Sequence, residues 1–271
     1  GMGEIAMFML FLAAAAGALV LVQSGALAGT RAPLAGLLLG AILVLDLVRS
    51  NTPWIQYFTI AEKYADNPVL AAVRDAAART ATWVHLGSLA VAREADDRWA
   101  NRAFVIDASG NIAARYDKMH MFDVDLATGE SWRESNAYAP GEAVVTVATP
   151  VGRLGLAICY DLRFPALFEA LGRQLCDVLA IPAAFTVPTG AAHWHVMQRA
   201  RAIEASAFVV SAAQVGQHED GRATYGHSLV IDPWGDVLLD MGGASSGLGF
   251  AELDRARLAE VRAHLPRLLP T

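Results

Sequence analysis

A chain of 271 residues carrying a net charge of −6 is long enough to bury a sizeable core, and one domain over residues 1–271 is the simplest organisation. Its charges are spread along the chain without a Lys/Arg block, which excludes the electrostatic footprint that nucleic acid requires. The two cysteines, Cys159 and Cys176, are too few for a disulfide scaffold, so a reduced, cytoplasmic protein is expected.

From Ile5 to Thr30 there is no charged side chain, and Pro33 to Leu45 is a second uncharged run, so residues 1–52 differ sharply in composition from the rest. Hydropathy alone would allow a membrane anchor, and Ala26-Leu-Ala28 resembles a signal-peptidase site. A signal peptide wants a positive leading region, however, and the one early charge is Glu4. Strands buried on both faces also read as continuous apolar runs, so Ala18–Gln23 and Ala41–Leu45 read as core strands in preference to a membrane anchor, with a replaced stretch joined to an intact body as the further alternative. Gly1-Met2 reads as a tag remnant.

Beyond residue 60, helical patterns alternate with short apolar strands, which predicts a layered α/β fold. Helices are expected over 68–80, 164–171, 191–205 and 254–263. Strands are expected over 82–86, 103–106, 144–148, 154–159, 178–182, 208–213, 228–232 and 237–240. Turn signals punctuate them at Ala108-Ser-Gly110, Pro150-Val-Gly152 and Asp232-Pro-Trp-Gly235.

Cys159 closes the apolar strand Leu154–Cys159 and is followed by Tyr-Asp-Leu-Arg-Phe-Pro, where the chain must turn before a helix. A nucleophile on such a turn is presented at the sheet edge, and the next backbone N–H, that of Tyr160, can face a developing oxyanion. A lone cysteine is more often a small buried hydrophobe, but a core cysteine has no use for the nearby Asp161 and Arg163. Lys118, in Tyr116-Asp-Lys-Met-His-Met-Phe122, ends another strand. Its ordinary fate is a solvated surface, whereas a place beside Cys159 would favour the thiolate and stabilise a tetrahedral intermediate.

Five segments in order carry a resemblance. They are Tyr116–Asp123, Gly129–Ser135, Ala157–Pro165, Pro182–Trp194 and Ala223–Gly235, and together they resemble the motifs of the nitrilase superfamily of carbon–nitrogen hydrolases over about residues 60 to 270. The resemblance implies a four-layer α-β-β-α sandwich, usually paired into a homodimer, with a Glu-Lys-Cys catalytic set and no metal or organic cofactor. It makes Cys159 the nucleophile and Lys118 the catalytic lysine, with Glu134 supporting that lysine and helping to position substrate. The implied reaction is hydrolysis of a small, carboxylate-bearing amide through a thioester.

The family's first glutamate follows a buried strand. Aligning Asn51-Thr-Pro-Trp54 with the group that follows it places the acid position on Val48. Asp46 is the nearest carboxylate, two residues away and so about 6–7 Å along an extended chain. Asp46 and Glu134 are the alternatives for the base, and a catalytically silent, ligand- or partner-binding relative is the alternative function. Arg163 reads either as a fork for a substrate carboxylate or as an ion-pair partner of Asp161. Phe185, Thr189 and Trp194 are candidate pocket walls, with ordinary core as the other reading. Gly226-His-Ser228 lacks the closing glycine of a serine-hydrolase elbow. His193 and His195, two apart at a helix start, diverge around the axis, and no metal site is expected.

Overall fold

The computed structural model describes residues 67–93, 98–125, 129, 131–219 and 221–265, with a few isolated positions before residue 42. Asp46 lies outside the described residues, as do the expected strands 18–23 and 41–45 except for Val20 and Ala41, which are exposed and helical rather than buried and extended. The chain divides into two compact units, Gly1–Thr59 and Ile60–Thr271, and the architecture that follows belongs to the second.

Its elements alternate as the sequence pattern predicts. Helix α1 (Pro68–Thr80) is capped by Asn67, whose side chain accepts from the Val69 and Leu70 amides. Then come β1 (Val84–Ala92), β2 (Trp99–Ile106) and β3 (Ile112–Asp117), which form an antiparallel three-stranded sheet in that order. A small hairpin follows, β4 (Asp123–Asp125) with β5 (Ser131–Arg133). The second sheet has six strands, β6 (Thr146–Thr149), β7 (Gly152–Leu156), β8 (Val178–Ala180), β9 (Phe208–Ser211), β12 (Leu229–Ile231) and β13 (Val237–Asp240). They lie in the order β13-β12-β9-β8-β7-β6, with β7, β8 and β9 parallel and their neighbours antiparallel. Helices α2 (Pro165–Arg173) and α3 (Val187–Ala205) make the connections after β7 and β8. A second hairpin, β10 (Val215–Gln217) with β11 (Ala223–Tyr225), precedes β12, and α4 (Arg255–His264) comes after β13.

Three apolar clusters show how the layers stack. Ala77 of α1 packs with Phe104 and Ile106 of β2, which covers one face of the first sheet. Val105 and Tyr116 from that sheet meet Leu156, Val178 and Phe208 from the second, which makes the filling between the sheets. Leu171 and Trp194, from α2 and α3, pack with Leu179, Val209 and Ile231 on the far face. The order is therefore helix, sheet, sheet, helix, the four-layer α/β sandwich that the sequence resemblance implies. No helix among the described residues is long and apolar enough to cross a membrane.

Two differences from the sequence reading have physical causes. β1 runs to Ala92 rather than ending near Leu86, because the chain continues past Gly87 through a bulge between Leu86 and Ser88. α3 begins at Val187 rather than Ala191, because a proline in the first helical turn gives up an amide that has no helical partner there anyway. The same turn carries Gly190, where a Cβ would stand only 2.3 Å from the Tyr225 ring, so glycine is what lets β11 lie against α3.

A buried arginine fastens α3 to the loop after β7. Arg201 donates from Nε and Nη2 to the Leu162 carbonyl at 3.1 and 2.9 Å and from Nη1 to Glu204 at 2.7 Å, with its guanidinium 5.0 Å from the Phe168 ring centre. Removing it leaves the Leu162 carbonyl buried without these donors. Arg201→Ala is expected to lower stability by about 2–3 kcal/mol in urea denaturation, and Arg201→Lys to recover little of it, since an ammonium cannot reproduce the planar fork.

Candidate active site

The parallel strands β7, β8 and β9 end on one edge of the second sheet, and the segments that leave them line a cleft of about 840 Å³. Cys159 follows β7, Pro182–Ala184 follow β8 and Ala212–Gln214 follow β9. Leu86–Ser88, Asn101 and Lys118 reach the same cleft from the first sheet. The carboxyl ends of parallel strands are where open α/β sheets present ligand sites, because the strands stop there and the loops diverge.

The nucleophile turn departs from the strand that the sequence suggests. β7 ends at Leu156, and Cys159 opens a 3-10 turn, Cys159–Arg163, with φ +49°. A left-handed conformation is costly for a residue with a Cβ, and it persists only where the surroundings hold it. Here the Cys159 amide donates to the Pro182 carbonyl at 2.9 Å, and Asp161 reaches back to accept from the Ile158 amide at 2.9 Å. Asp161 is fully buried and also accepts from the Tyr116 hydroxyl at 2.7 Å and the His120 amide at 3.0 Å, with His120 Nδ1 2.7 Å away. Burial and the Asp161 charge push the Tyr116 phenol far up, so it stays a donor.

Lys118 is buried at the end of β3, its amide bonded to the Asn101 carbonyl and its carbonyl to the Gly141 amide. Its Nζ donates to Glu134 Oε2. Glu134 further accepts from the Phe122 amide at 2.7 Å and Asn101 Nδ2 at 3.1 Å, and it is the one carboxylate among the described residues that line the cleft. Cys159, Lys118 and Glu134 therefore meet in one place, although 41 positions separate Lys118 from Cys159 in the sequence.

Burial pushes the Cys159 thiol up. The Lys118 charge and a hydrogen bond from the Ala184 backbone pull it down, and the Glu134 and Asp161 charges push it up again, with the balance above the usual thiol value. Such a thiol is protonated near neutrality, so its attack on a carbonyl needs a proton acceptor.

The other expected residues fall apart into two groups. Tyr160, Arg163, Phe185 and Thr189 line a side cavity of about 30 Å³ that adjoins Cys159, a space suited to water rather than to a substrate carboxylate. Arg163 does not pair with Asp161. Its Nη2 lies 3.3 Å from His193 Nδ1, and its guanidinium packs 5.5 Å from the Phe185 ring centre and 5.9 Å from that of Tyr160. Trp194 is a core residue and not a pocket wall. It is fully buried against Phe185, with its indole N–H donating to the His227 carbonyl at 2.8 Å, because its position on α3 faces the sheet.

Residues to which the sequence assigns no site role form the cleft rim. Trp132, Arg133, His218 and Arg222 come from the two short hairpins, with the Arg222 guanidinium 5.3 Å from the Trp132 ring centre. Arg133 is held by a two-oxygen contact to Asp125. The signal available was weak, since an arginine in a polar loop reads as an ordinary solvated charge.

Residues 49–263 match the family described as carbon-nitrogen hydrolase. The chain is 42% identical over 210 residues to the deaminated glutathione amidase of Yersinia enterocolitica, covering 77% of this chain and 73% of that protein. It is 39% identical over 201 residues to the deaminated glutathione amidase of Dictyostelium discoideum, covering 73% and 69%. Among solved structures it is similar to the C. elegans NitFhit protein, with 38% identity and a TM-score of 0.70 over 74% of this chain and 49% of that one. It is also similar to Saccharomyces cerevisiae Nit3, a member of branch 10 of the nitrilase superfamily, with 26% identity and a TM-score of 0.66 over 74% and 70%.

The charge arrangement makes a prediction for the free protein. Alkylation of Cys159 by iodoacetamide should be slow near neutrality and still rising above about pH 9, beyond an ordinary thiol. Lys118→Met removes the charge that lowers the thiol, so its alkylation at a fixed pH should be slower still, by about tenfold for each unit of further rise.

Proposed function

The chain belongs to the carbon–nitrogen hydrolase family, and on that premise we propose that it hydrolyses the amide bond of a small, carboxylate-bearing amide of the deaminated-glutathione kind, with Cys159 as nucleophile. The observation that carries the reading is the meeting of Cys159, on its left-handed turn, with the buried Lys118–Glu134 pair in one cleft.

The thiol sulfur attacks the amide carbonyl while a carboxylate takes its proton. The tetrahedral oxyanion is stabilised by the Lys118 ammonium and the Tyr160 amide. The carbon–nitrogen bond then breaks and the proton passes to the departing amine, leaving a thioester on Cys159. Water adds to the thioester by the same route, releasing the carboxylic acid and restoring the thiol. Glu134 is the proton acceptor available among the described residues of the cleft, and Asp46 is its alternative outside them.

A carboxylate on the substrate is met at the rim by Arg222 and His218, on the cleft side of the molecule. Arg163 has no comparable room. The protein works as a homodimer in the reducing cytoplasm, a setting that suits two free cysteines.

The test follows released amine or ammonia from deaminated glutathione and a panel of ω-amides. Cys159→Ala is expected to lower turnover by at least about a thousandfold. Glu134→Gln should cut kcat by about 10²–10⁴ if it is the proton acceptor. A comparable loss in Asp46→Asn, with Glu134→Gln active, would move that role to Asp46. Arg222→Leu should raise KM for carboxylate-bearing amides and leave uncharged amides unchanged, whereas Arg163→Leu should not discriminate between them. No turnover from a folded sample would sink the enzymatic reading and leave a ligand-binding relative.

A further inference from the structure

α3 and the β12–β13 pair bring together three ligating side chains that lie far apart in the sequence. His195 lies on α3, His227 immediately precedes Ser228 and β12, and Asp240 ends β13. His195 Nε2 stands 2.9 Å from Asp240 Oδ2, and His227 Nδ1 stands 2.9 Å from Oδ1 and 3.1 Å from Oδ2. All the ligating atoms fall within 4.8 Å of one another. The expectation that His193 and His195 diverge is correct for that pair, since His193 turns to Arg163, but His195 finds its partners on other elements.

The spacing of the two rings suits two imidazoles sharing one ion. The His195 and His227 ring centres are 4.9 Å apart with their planes at 74°. Two imidazoles bound to one ion at about 2.0–2.1 Å along tetrahedral directions have centres about 5 Å apart. The rings therefore stand close to the spacing that a shared ion requires.

Their orientation is fixed from behind. Tyr225 stacks on His227 at 4.3 Å and meets His195 edge-on at 6.1 Å. His227 sits at φ +57°, with its amide donating to the Gly242 carbonyl at 2.8 Å and its carbonyl accepting from the Trp194 indole at 2.8 Å. A side chain held by its backbone, a stacked ring and a carboxylate has little orientational freedom left to lose on binding.

The chemistry of the exchange is balanced. With both rings neutral, the nitrogen facing Asp240 carries the proton. When a divalent cation takes the common point, each of those protons moves to the other ring nitrogen, and the facing nitrogens become lone-pair donors beside the carboxylate. Two imidazoles and one carboxylate suit zinc, nickel, cobalt or copper rather than calcium or magnesium. The three side chains are 33%, 23% and 34% exposed, so an ion reaches them from solvent and water completes its coordination.

The geometry points to a divalent transition-metal site, of the zinc class, formed by His195 Nε2, His227 Nδ1 and the Asp240 carboxylate. It is separate from the thiol chemistry. Ser228, Met241 and Gly242, which follow His227 and Asp240 directly, line the cleft, so an ion here braces the cleft wall and is not a participant in the reaction.

The experiment titrates zinc chloride into the chelator-treated, tag-free full chain carrying Cys159→Ala, so that the cleft thiol does not compete, and follows uptake by calorimetry. X-ray absorption on the loaded protein reads the ligands. The expected result is one zinc per chain with two imidazoles and oxygen, and no sulfur, in the first shell. His195→Gln and Asp240→Asn, each verified as folded by circular dichroism, should each weaken binding by about tenfold or more. No saturable uptake at millimolar zinc overturns the site, as does sulfur in the first shell or affinity unchanged in both variants. The three side chains would then be a hydrogen-bonded clip only. If a variant fails to fold, the ligand count from absorption on the parent protein decides.

Discussion

A single buried carboxylate holds the two halves of the candidate site in register. Asp161 sits in the turn after β7 and gathers donors from the Ile158 amide, the Tyr116 hydroxyl and the His120 amide, with the His120 ring beside them. Taking a carboxylate out of water costs several kcal/mol unless its lone pairs are filled, and here they are. Lys118 lies between Tyr116 and His120, and Cys159 lies between Ile158 and Asp161. The same set of bonds therefore fixes the lysine and the thiol relative to each other, across the boundary between the two sheets. Loss of the Asp161 charge would loosen both segments at once.

The electrostatics of the cleft follow from that constraint. Lys118 is buried, and a buried charge is costly unless it is paired, so the ion pair with Glu134 offsets its lost hydration. That partner in turn offsets part of the benefit to Cys159, because its negative charge acts on the thiol in the direction opposite to the lysine's. A resting thiol above its usual range thus follows first from burial, with the Glu134 charge that neutralises the lysine adding to it. The arrangement favours a thiol that reacts when an acyl group and a proton acceptor are both present, rather than a free thiolate exposed to any electrophile.

How far this was legible in the sequence depended on the range over which each residue's role is set. Cys159 and Lys118 stand at strand ends, where alternation and turn signals are local, and their segments could be read directly. The parallel core strands were equally visible as apolar runs, although their ends were placed several residues long because β7 and β8 give way early to the turns that shape the cleft. Trp194 was misplaced because a large aromatic on a helix reads the same facing a pocket or facing a sheet. Arg163 reads from the sequence as a fork for a substrate carboxylate or as the partner of its near neighbour Asp161. The structure gives it others, because Asp161 is already filled by β3 and its following loop. The meeting of His195, His227 and Asp240 was invisible for the same reason, since contacts between α3 and the β12–β13 pair leave no spacing pattern in a single chain.

The division of labour between sheet ends and hairpins sets what can vary. Cys159, Lys118 and the residues after β8 and β9 hang from paired strands, whose positions are fixed by the filling between the sheets. The rim residues Trp132, Arg133, His218 and Arg222 ride on two-stranded hairpins outside that filling, where side chains can be exchanged without disturbing it. Chemistry placed on rigid edges and recognition placed on short hairpins let the choice of amide shift while bond cleavage is retained. The His227–Ser228 and Asp240–Met241 segments stand between these two regimes. They belong to the ends of sheet strands yet line the cleft wall, so a clamp on His227 and Asp240, whether by hydrogen bonds or by an ion, sets how firmly that wall faces the substrate.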